Sequence, residues 1–242
     1  MREIYSEEIT DPSLNELKEF ASWYNEKLGN YPIIVGGWAV YFYTKGLGSK
    51  DIDVVFLDAR AKDATLAAYF HSHGYIEKKR DFFDREYVKN VQVGDREIEI
   101  IIDAVSSKRT IIFEGKDARI PWSWAVKHNT EYRVGNASIY LPEIELLMMY
   151  KLGAILGRNI YLRTGLDFDY YSSKLWKDVI DVALLSKLKI DKKEFGKFMT
   201  ESGLKKYAEE IMEIIEANFN DESKLILKEN GLETIRGILL EL

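Results

Sequence analysis

The sequence has no cysteine and only three histidines among its 242 residues. Without cysteine, the chain cannot form disulfides, use a thiol nucleophile, hold an iron–sulfur cluster or build a cysteine zinc site. The three histidines (His71, His73 and His128) do not favour a histidine-rich metal site. No apolar run approaches the ~18 residues that a membrane-spanning helix requires. The chemistry of this chain must therefore use carboxylates, lysines, arginines, hydroxyls and backbone groups.

The charge balance is acidic, with 40 Asp and Glu residues against 34 Lys and Arg residues and a formal charge of -6. An acidic surplus disfavours a broad polyanion-binding surface and leaves room for a local basic groove. The first eight residues, Met1 to Glu8, lack the apolar segment of a signal peptide. Hydrophobic residues make up 46% of the chain, which is typical of globular proteins. We therefore expect a cytoplasmic protein with no membrane partner.

The first 105 residues alternate between helical and strand patterns. Pro12-Ser13 is a helix start signal before apolar residues at helical spacing, and Gly94-Asp95 is a turn signal between two strand patterns. The predicted helices are 13–28, 38–43 and 62–73, and the predicted strands are 31–35, 51–57, 87–93 and 96–105.

From residue 106 the pattern is first mixed and then helical. Alternation around Gly135-Asn136 predicts a hairpin over 131–140, and Pro142 suits the first turn of the helix that follows. Further helices are predicted at 172–187, 191–201, 203–218 and 222–240. We therefore expect two domains, 1–138 and 139–242, with the second nearly all helical.

Two glycines follow the first apolar strand directly. Gly36 and Gly37 end Ile33-Ile-Val and precede Trp38-Ala-Val, which predicts a strand, a glycine turn and a helix in succession. Glycine lets a phosphate approach the backbone amides closely, and the N-terminus of a helix favours negative charge. This turn is a candidate binding site for a polyphosphate.

Paired carboxylates lie on the next strand. Asp51 and Asp53 alternate with Ile52, Val54 and Phe56, so the two-residue period of a strand puts both acids on one face. Two adjacent carboxylates are unfavourable unless a cation joins them. Mg²⁺ prefers such oxygen ligands and commonly bridges carboxylates and substrate phosphates.

A later strand offers a third acid. In Arg96 to Val105, the residues Ile98, Ile100 and Ile102 share one face, while Glu97, Glu99 and Asp103 share the other. If this strand neighbours the first pair, Asp103 or Glu99 completes a three-acid site able to hold two metal ions.

This order of residues (Gly36-Gly37, then Ser49-Lys50-Asp51-Ile52-Asp53, then a strand with Asp103) resembles the nucleotidyltransferase superfamily typified by DNA polymerase β. The resemblance implies an α+β fold, a small mixed sheet with helices packed on one face, followed by a C-terminal α-helical domain. It implies that Gly36, Gly37 and Ser49 cradle the triphosphate of an NTP. It also implies that Asp51, Asp53 and Asp103 bind two Mg²⁺ ions, which Mn²⁺ can replace, with Glu99 as the alternative third acid.

The helical part resembles the AbiEii-type branch of abortive-infection and toxin–antitoxin nucleotidyltransferases. The residues concerned are Lys151, Arg158 and Lys177-Asp178-Val-Ile-Asp181. The resemblance implies that Lys151 contacts the nucleotide phosphates and that Asp178 acts as a base or orienting group in a cleft between the domains. It further implies a tRNA, other RNA or protein acceptor and an antitoxin partner.

Three alternatives stay open at this point. Gly36-Gly-Trp-Ala-Val is similar to aminoglycoside adenylyltransferases, which implies a small hydroxylated acceptor. A module that binds nucleotides without catalysis is a second alternative. Asp178 and Asp181 could also simply pair with Lys174 and Lys177 on one face of a helix.

Overall fold

Seven strands from the first 142 residues form one mixed sheet in the computed structural model, which describes residues 5–56, 59–79, 84–165, 167–221, 223–224 and 231–241. Along the chain the strands are β1 (Ile33–Val35), β2 (Asp51–Phe56), β3 (Ile76–Lys79), β4 (Asp84–Val93), β5 (Arg96–Ser106), β6 (Thr110–Ile112), β7 (Arg119–Pro121), β8 (Asn129–Val134) and β9 (Ala137–Pro142). The order in the sheet is β3-β4-β5-β2-β1-β9-β8, and β6 and β7 form a separate two-stranded sheet. The β2–β5 and β1–β9 pairs are parallel, and the other described pairs of the large sheet are antiparallel.

Helices connect these strands and make up most of the second half of the chain. They are α1 (Glu7–Leu28), α2 (Gly36–Thr44), α3 (Ala59–Ser72), α4 (Ser123–Lys127), α5 (Ile144–Arg163), α6 (Phe168–Leu185), α7 (Lys192–Glu201), a 3₁₀ turn (Leu204–Tyr207), α8 (Ala208–Asn218) and α9 (Leu232–Leu239). Over the described ranges, none of these helices is both long enough and apolar enough to cross a membrane.

The two faces of the large sheet differ in character. Ile52 of β2, Ile102 of β5 and Tyr87 of β4 lie side by side in register and are buried. The ring of Phe70 from α3 packs on Tyr87 at 4.2 Å and on Phe20 of α1 at 5.3 Å, so helices cover this face. Because side chains alternate along a strand, the acids of β2 and β5 lie on the opposite face.

The chain divides into two compact units. The first comprises Met1–Thr110 and Pro121–Glu143, and the second comprises Ile111–Ile120 and Ile144–Leu242. The sequence boundary was expected near residue 138, with the whole of 106–138 in the first domain. Residues 111–120 instead group with the helices.

The grouping of residues 111–120 follows from their packing. A Cβ added to Gly153 of α5 would lie 2.5 Å from Ile120 Cδ1 and 3.1 Å from Phe113 Cζ, so both side chains occupy the space that this glycine leaves. The backbone N–H of Arg119 also donates to the carbonyl of Ser202 at 2.8 Å. Apolar burial against α5 therefore ties this segment to the helical unit.

Several predicted boundaries differ from the structure. Helix α1 begins at Glu7, six residues before the predicted start, and contains Pro12. A proline inside a helix removes one backbone hydrogen-bond donor. The helix nevertheless continues through Pro12, and Ile9, Thr10 and Ser13 are buried in this part of it. Pro142 ends β9 instead of opening a helix, and α5 begins at Ile144.

Two other predictions extend past the described part of the chain. The predicted strand 51–57 ends at Leu57 and the predicted helix 222–240 includes residues 222 and 225–230, all of which lie outside the described residues. The prediction also missed β3, which pairs with β4.

A buried hydrogen bond joins α1 to α2 and provides a test of this packing. Trp38 Nε1 donates to Ser13 Oγ at 3.1 Å, and both residues are at most 1% exposed. The Ser13→Ala variant leaves the buried indole N–H without its acceptor, so we expect the free energy of unfolding to fall by about 1–3 kcal/mol. Urea denaturation measures the change. Ser72→Ala, at an exposed serine of α3, is the control and should change stability by less than about 0.5 kcal/mol. Equal losses in the two variants would contradict the assignment.

Candidate active site

The turn between β1 and α2 packs directly on the carboxylate of Asp53. Val35, the last residue of β1, pairs with Asp53 of β2, and Gly36 follows with φ of +67°. A Cβ added to Gly36 would lie 1.9 Å from Asp53 Oδ2. Both the backbone conformation and the available space therefore require glycine at this position.

The first turn of α2 begins at this glycine. Gly36 and Gly37 are its first two residues, and the N-terminal amides of a helix have no partners within the helix. These amides and the positive end of the helix dipole favour an anion such as a phosphate. Ser49 is buried two residues before Asp51, at the entrance to β2. The structure thus brings Gly36, Gly37 and Asp53 together at the end of β1.

The acids of β2 and β5 share one face of the sheet. Asp53 and Asp103 occupy the same register position on these neighbouring parallel strands, and Asp51 lies two residues before Asp53. All three are half-buried, whereas Ile52 and Ile102, which directly precede Asp53 and Asp103, are buried. Strand periodicity therefore gathers three carboxylates on the face opposite the helices.

The sheet register distinguishes the two candidates for the third acid. Asp103 pairs with Asp53, whereas Glu99 lies four residues earlier in β5, about 13 Å along the strand. Glu99 is exposed and lies 3.9 Å from Lys78 in an ion pair. The geometry favours Asp103 as the third carboxylate.

A fourth acid, which was not predicted from the sequence, lies beside Asp103 on β4, the strand that flanks β5 on the side away from β2. Glu86 of β4 pairs with Asp103 in the antiparallel β4–β5 hairpin and is 6% exposed. The predicted strand began only at Tyr87, one residue too late to include it. The signal was present, because counting equal numbers of residues outward from Gly94-Asp95 pairs Glu86 with Asp103.

The donor chemistry of this face suits a hard divalent cation, since it offers carboxylate oxygens from adjacent strands. Within the described ranges, no three acidic or histidine side chains already form a group that could hold a metal ion. Asp51, Asp53 and Asp103 nevertheless lie on one face of two neighbouring strands. The residue types and their backbone placement fit Mg²⁺.

Lys151 and Asp178 belong to the second unit and are buried there in a charged cluster. Lys151 Nζ lies 2.8 Å from Asp178 Oδ1 and 2.7 Å from Asp181 Oδ2. Lys177 Nζ donates to Asp181 Oδ2 at 2.9 Å, and Arg158 Nε lies 2.5 Å from Asp178 Oδ2. Apart from Arg158, these side chains are at most 8% exposed. The cluster therefore links α5 to α6 by ion pairs.

The cluster changes the pKa values of its members. Burial alone would lower the pKa of Lys151, but the carboxylates of Asp178 and Asp181 outweigh burial and hold it above its ordinary value. Burial would raise the pKa of Asp178, but Arg158 and Lys151 outweigh burial and hold it below its ordinary value. The pKa of Lys177 is lowered because burial exceeds the attraction of Asp181. Lys151 and Asp178 thus form a stable charged pair at neutral pH.

Only part of this cluster follows from the sequence. The helical spacing predicts that Lys177 and Asp181 can pair on one helix face, and they do. The sequence does not indicate that Lys151 of α5 pairs with both acids of α6, or that Arg158 of α5 pairs with Asp178. A contact between two helices depends on their packing, which the spacing within either helix does not reveal.

No protein-family model matches the chain, and no curated protein matches it. Solved structures do resemble it. The antibiotic-resistance factor ANT(2'')-Ia has a TM-score of 0.51 at 13% identity, over 82% of this chain and 95% of that chain. An antigenic nucleotidyltransferase-like protein from Paracoccidioides brasiliensis has a TM-score of 0.48 at 13% identity, over 86% and 94%. JHP933 from Helicobacter pylori has a TM-score of 0.49 at 14% identity, over 96% and 95%.

One of these neighbours is described as nucleotidyltransferase-like, and the likeness to ANT(2'')-Ia is one of fold alone. The shared fold agrees with the mixed sheet and many helices described above. The nucleotidyltransferase superfamily and its AbiEii-type branch stay predictions from sequence.

The contact between Gly36 and Asp53 can be tested against a matched glycine. Gly36→Ala and Gly135→Ala both place alanine at positive φ, at a cost of about 1–2 kcal/mol. Around Gly135 there is open space, whereas at Gly36 the new Cβ must displace the Asp53 carboxylate. We expect Gly36→Ala to lose about 1–3 kcal/mol more unfolding free energy than Gly135→Ala in urea titrations. Equal losses would show that Asp53 does not pack against this turn.

The charged cluster predicts that Lys151 is needed for stability. Lys151→Met leaves two buried carboxylates with one fewer cation, so we expect the free energy of unfolding to fall by about 3–5 kcal/mol. Lys197→Met removes an exposed ion pair with Glu194 and should cost less than about 1 kcal/mol. Chemical denaturation of both variants measures the difference. Unchanged stability of Lys151→Met together with a raised KM for NTP would instead support the phosphate contact that the family resemblance implies.

Proposed function

We propose that this chain is a Mg²⁺-dependent nucleotidyltransferase that transfers NMP from an NTP to an acceptor hydroxyl and releases pyrophosphate. The observation that carries the proposal is the alignment of Asp53 and Asp103 on neighbouring parallel strands, beside the glycine turn that opens α2. Carboxylates on one side and helix amides on the other complement the two parts of a metal-bound triphosphate.

Each site residue has a proposed task. Asp51, Asp53 and Asp103 would hold Mg²⁺, while the amides of Gly36 and Gly37 and the hydroxyl of Ser49 would bind phosphate oxygens. When bound, Mg²⁺ would supply positive charge that offsets the charge of the phosphoryl oxygens. Asp103, on the strand next to Asp53, would take the proton of the acceptor hydroxyl.

The transfer itself is a single displacement. The acceptor oxygen attacks the α-phosphorus, and the bond from that phosphorus to the oxygen bridging to the β-phosphorus breaks. Pyrophosphate leaves with the electron pair of the broken bond. The glycine turn holds the triphosphate so that attack and departure are in line.

Lys151 and Asp178 receive a different role in this proposal. Their burial and mutual ion pair support a structural task, the attachment of α5 to α6. The phosphate contact and the base function that the family resemblance implies would each require this ion pair to open, at the expense of a buried charge.

The acceptor is the open part of the proposal. The AbiEii-type resemblance favours a tRNA or protein acceptor and an antitoxin partner. The similarity of Gly36-Gly-Trp-Ala-Val to aminoglycoside adenylyltransferases favours a small hydroxylated acceptor, and the fold shared with ANT(2'')-Ia is compatible with it.

The test is transfer of label from each α-³²P-labelled NTP with Mg²⁺, in separate reactions with total tRNA, an aminoglycoside and casein. We expect labelled product and released pyrophosphate with one acceptor class. Asp53→Asn and Asp103→Asn should lower the rate at least about a hundredfold, because each removes a negatively charged ligand of the Mg²⁺ that would offset the charge of the phosphoryl oxygens. Omission of Mg²⁺ should abolish transfer.

Glu99→Gln is the matched control, because it neutralises an exposed acid on the same strand and face. We expect its rate to stay within about twofold of the unmodified chain. A rate for Asp53→Asn equal to that of the unmodified chain would overturn the enzymatic proposal. Loss of activity in Glu99→Gln but not in Asp103→Asn would overturn the assignment of the third acid.

A further inference from the structure

An aromatic patch lies where α5 ends and α6 begins, in the second unit. Tyr161 is 44% exposed, Phe168 66% and Tyr170 50%, and these are three of the six exposed large hydrophobic residues in the described part of the chain. Tyr161 also stacks on Tyr171, with ring centroids 5.0 Å apart and planes at 28°. Among the described residues, half of the exposed large apolar side chains thus lie between positions 161 and 170.

The patch consists of the rings of Tyr161, Phe168, Tyr170 and Tyr171, and a lysine lies beside one of them. Tyr170 packs edge-on against Tyr171 at 5.1 Å, and Lys174 Nζ lies 5.6 Å from the centroid of Tyr170. An aromatic ring next to a cation is the arrangement on which nucleobases stack in proteins that bind single strands.

Charges of both signs flank these rings along the chain. Arg163 and Lys174 are positive, and Asp167 and Asp169 are negative. Asp167 Oδ1 accepts a hydrogen bond from the N–H of Tyr170 and so caps α6, while Arg163 lies 3.9 Å from Glu210. Binding here must therefore depend on ring contacts more than on phosphate contacts.

The size of the patch argues against a second copy of the chain as its occupant. With ~200 Å² for each aromatic side chain, the exposed fractions of Tyr161, Phe168 and Tyr170 amount to roughly 300 Å². A stable protein interface needs about 800 Å² from each partner. A few unpaired bases have planar faces of a size that matches the smaller area.

We propose that this patch binds unpaired bases of a single-stranded nucleic acid, by stacking on Tyr161 and Tyr170. Because the segment that carries these rings, residues 161–174, contains two cations, Arg163 and Lys174, the affinity depends only weakly on salt. The proposal concerns binding alone and holds whether or not the chain transfers nucleotides.

The test is fluorescence anisotropy with a labelled twelve-nucleotide single-stranded RNA, the DNA of the same sequence and the corresponding blunt duplex, without NTP or Mg²⁺. Asp53→Asn serves as the parent chain, so that failure of nucleotide transfer does not affect the readout. We expect both single strands to bind and the duplex not to bind, because its bases are stacked internally. The logarithm of the affinity should fall with the logarithm of the salt concentration with a slope no steeper than about −1.5.

Variants of the exposed rings separate stacking from other contacts. Tyr161→Ala and Tyr170→Ala should each weaken single-strand binding about 5- to 100-fold, whereas Tyr161→Phe and Tyr170→Phe keep the ring and should bind like the parent. Ile112→Ala, at an apolar residue that is 76% exposed elsewhere in this unit, is the matched control and should bind like the parent. Tyr161→Ala and Tyr170→Ala lose ring contacts with Tyr171 at half-exposed positions, so thermal denaturation should give midpoints only a few degrees below that of the parent.

Three results would overturn the proposal. One is equal binding of duplex and single strand, which indicates backbone charge contacts. Another is unchanged affinity in both alanine variants. The third is concentration-dependent self-association in sedimentation velocity that Tyr161→Ala abolishes while no single strand binds, which identifies the patch as a contact between copies.

Discussion

The contact of a glycine backbone with a carboxylate is the constraint on which the candidate site depends. Gly36 can turn the chain from β1 into α2 at positive φ, and it leaves the space that the Asp53 carboxylate fills. A larger residue would separate the N-terminus of α2 from the acid. The glycine turn and the Asp53 carboxylate therefore pack against each other at the start of α2. Parallel pairing with β5 then aligns Asp103 with Asp53.

Much of this site follows from local sequence. A strand repeats every two residues, so the alternation of Asp51 and Asp53 with apolar residues gives their common face without any structure. The choice between Asp103 and Glu99 does not follow, because both lie on the same face of one strand. Only the alignment of β5 against β2 distinguishes them, and that register is a property of two segments far apart in the chain.

The helical half shows the opposite balance. Its helices were predicted from apolar spacing, but the environment of Lys151 and Asp178 was not. Each looks like a residue on an amphipathic helix, and the ion pair between them exists only because α5 packs on α6. Pro12 is a similar case, since local preference predicts a helix boundary there and burial of the neighbouring side chains overrides it.

The path of residues 111–120 has a consequence for the autonomy of the helical unit. The chain leaves the sheet unit after Thr110, returns at Pro121 and leaves again after Glu143. A fragment beginning at Ile144 would thus expose the surface of Gly153 that Phe113 and Ile120 cover. The helical unit is therefore built from two separate stretches of the chain, and a single cut at residue 144 does not isolate it.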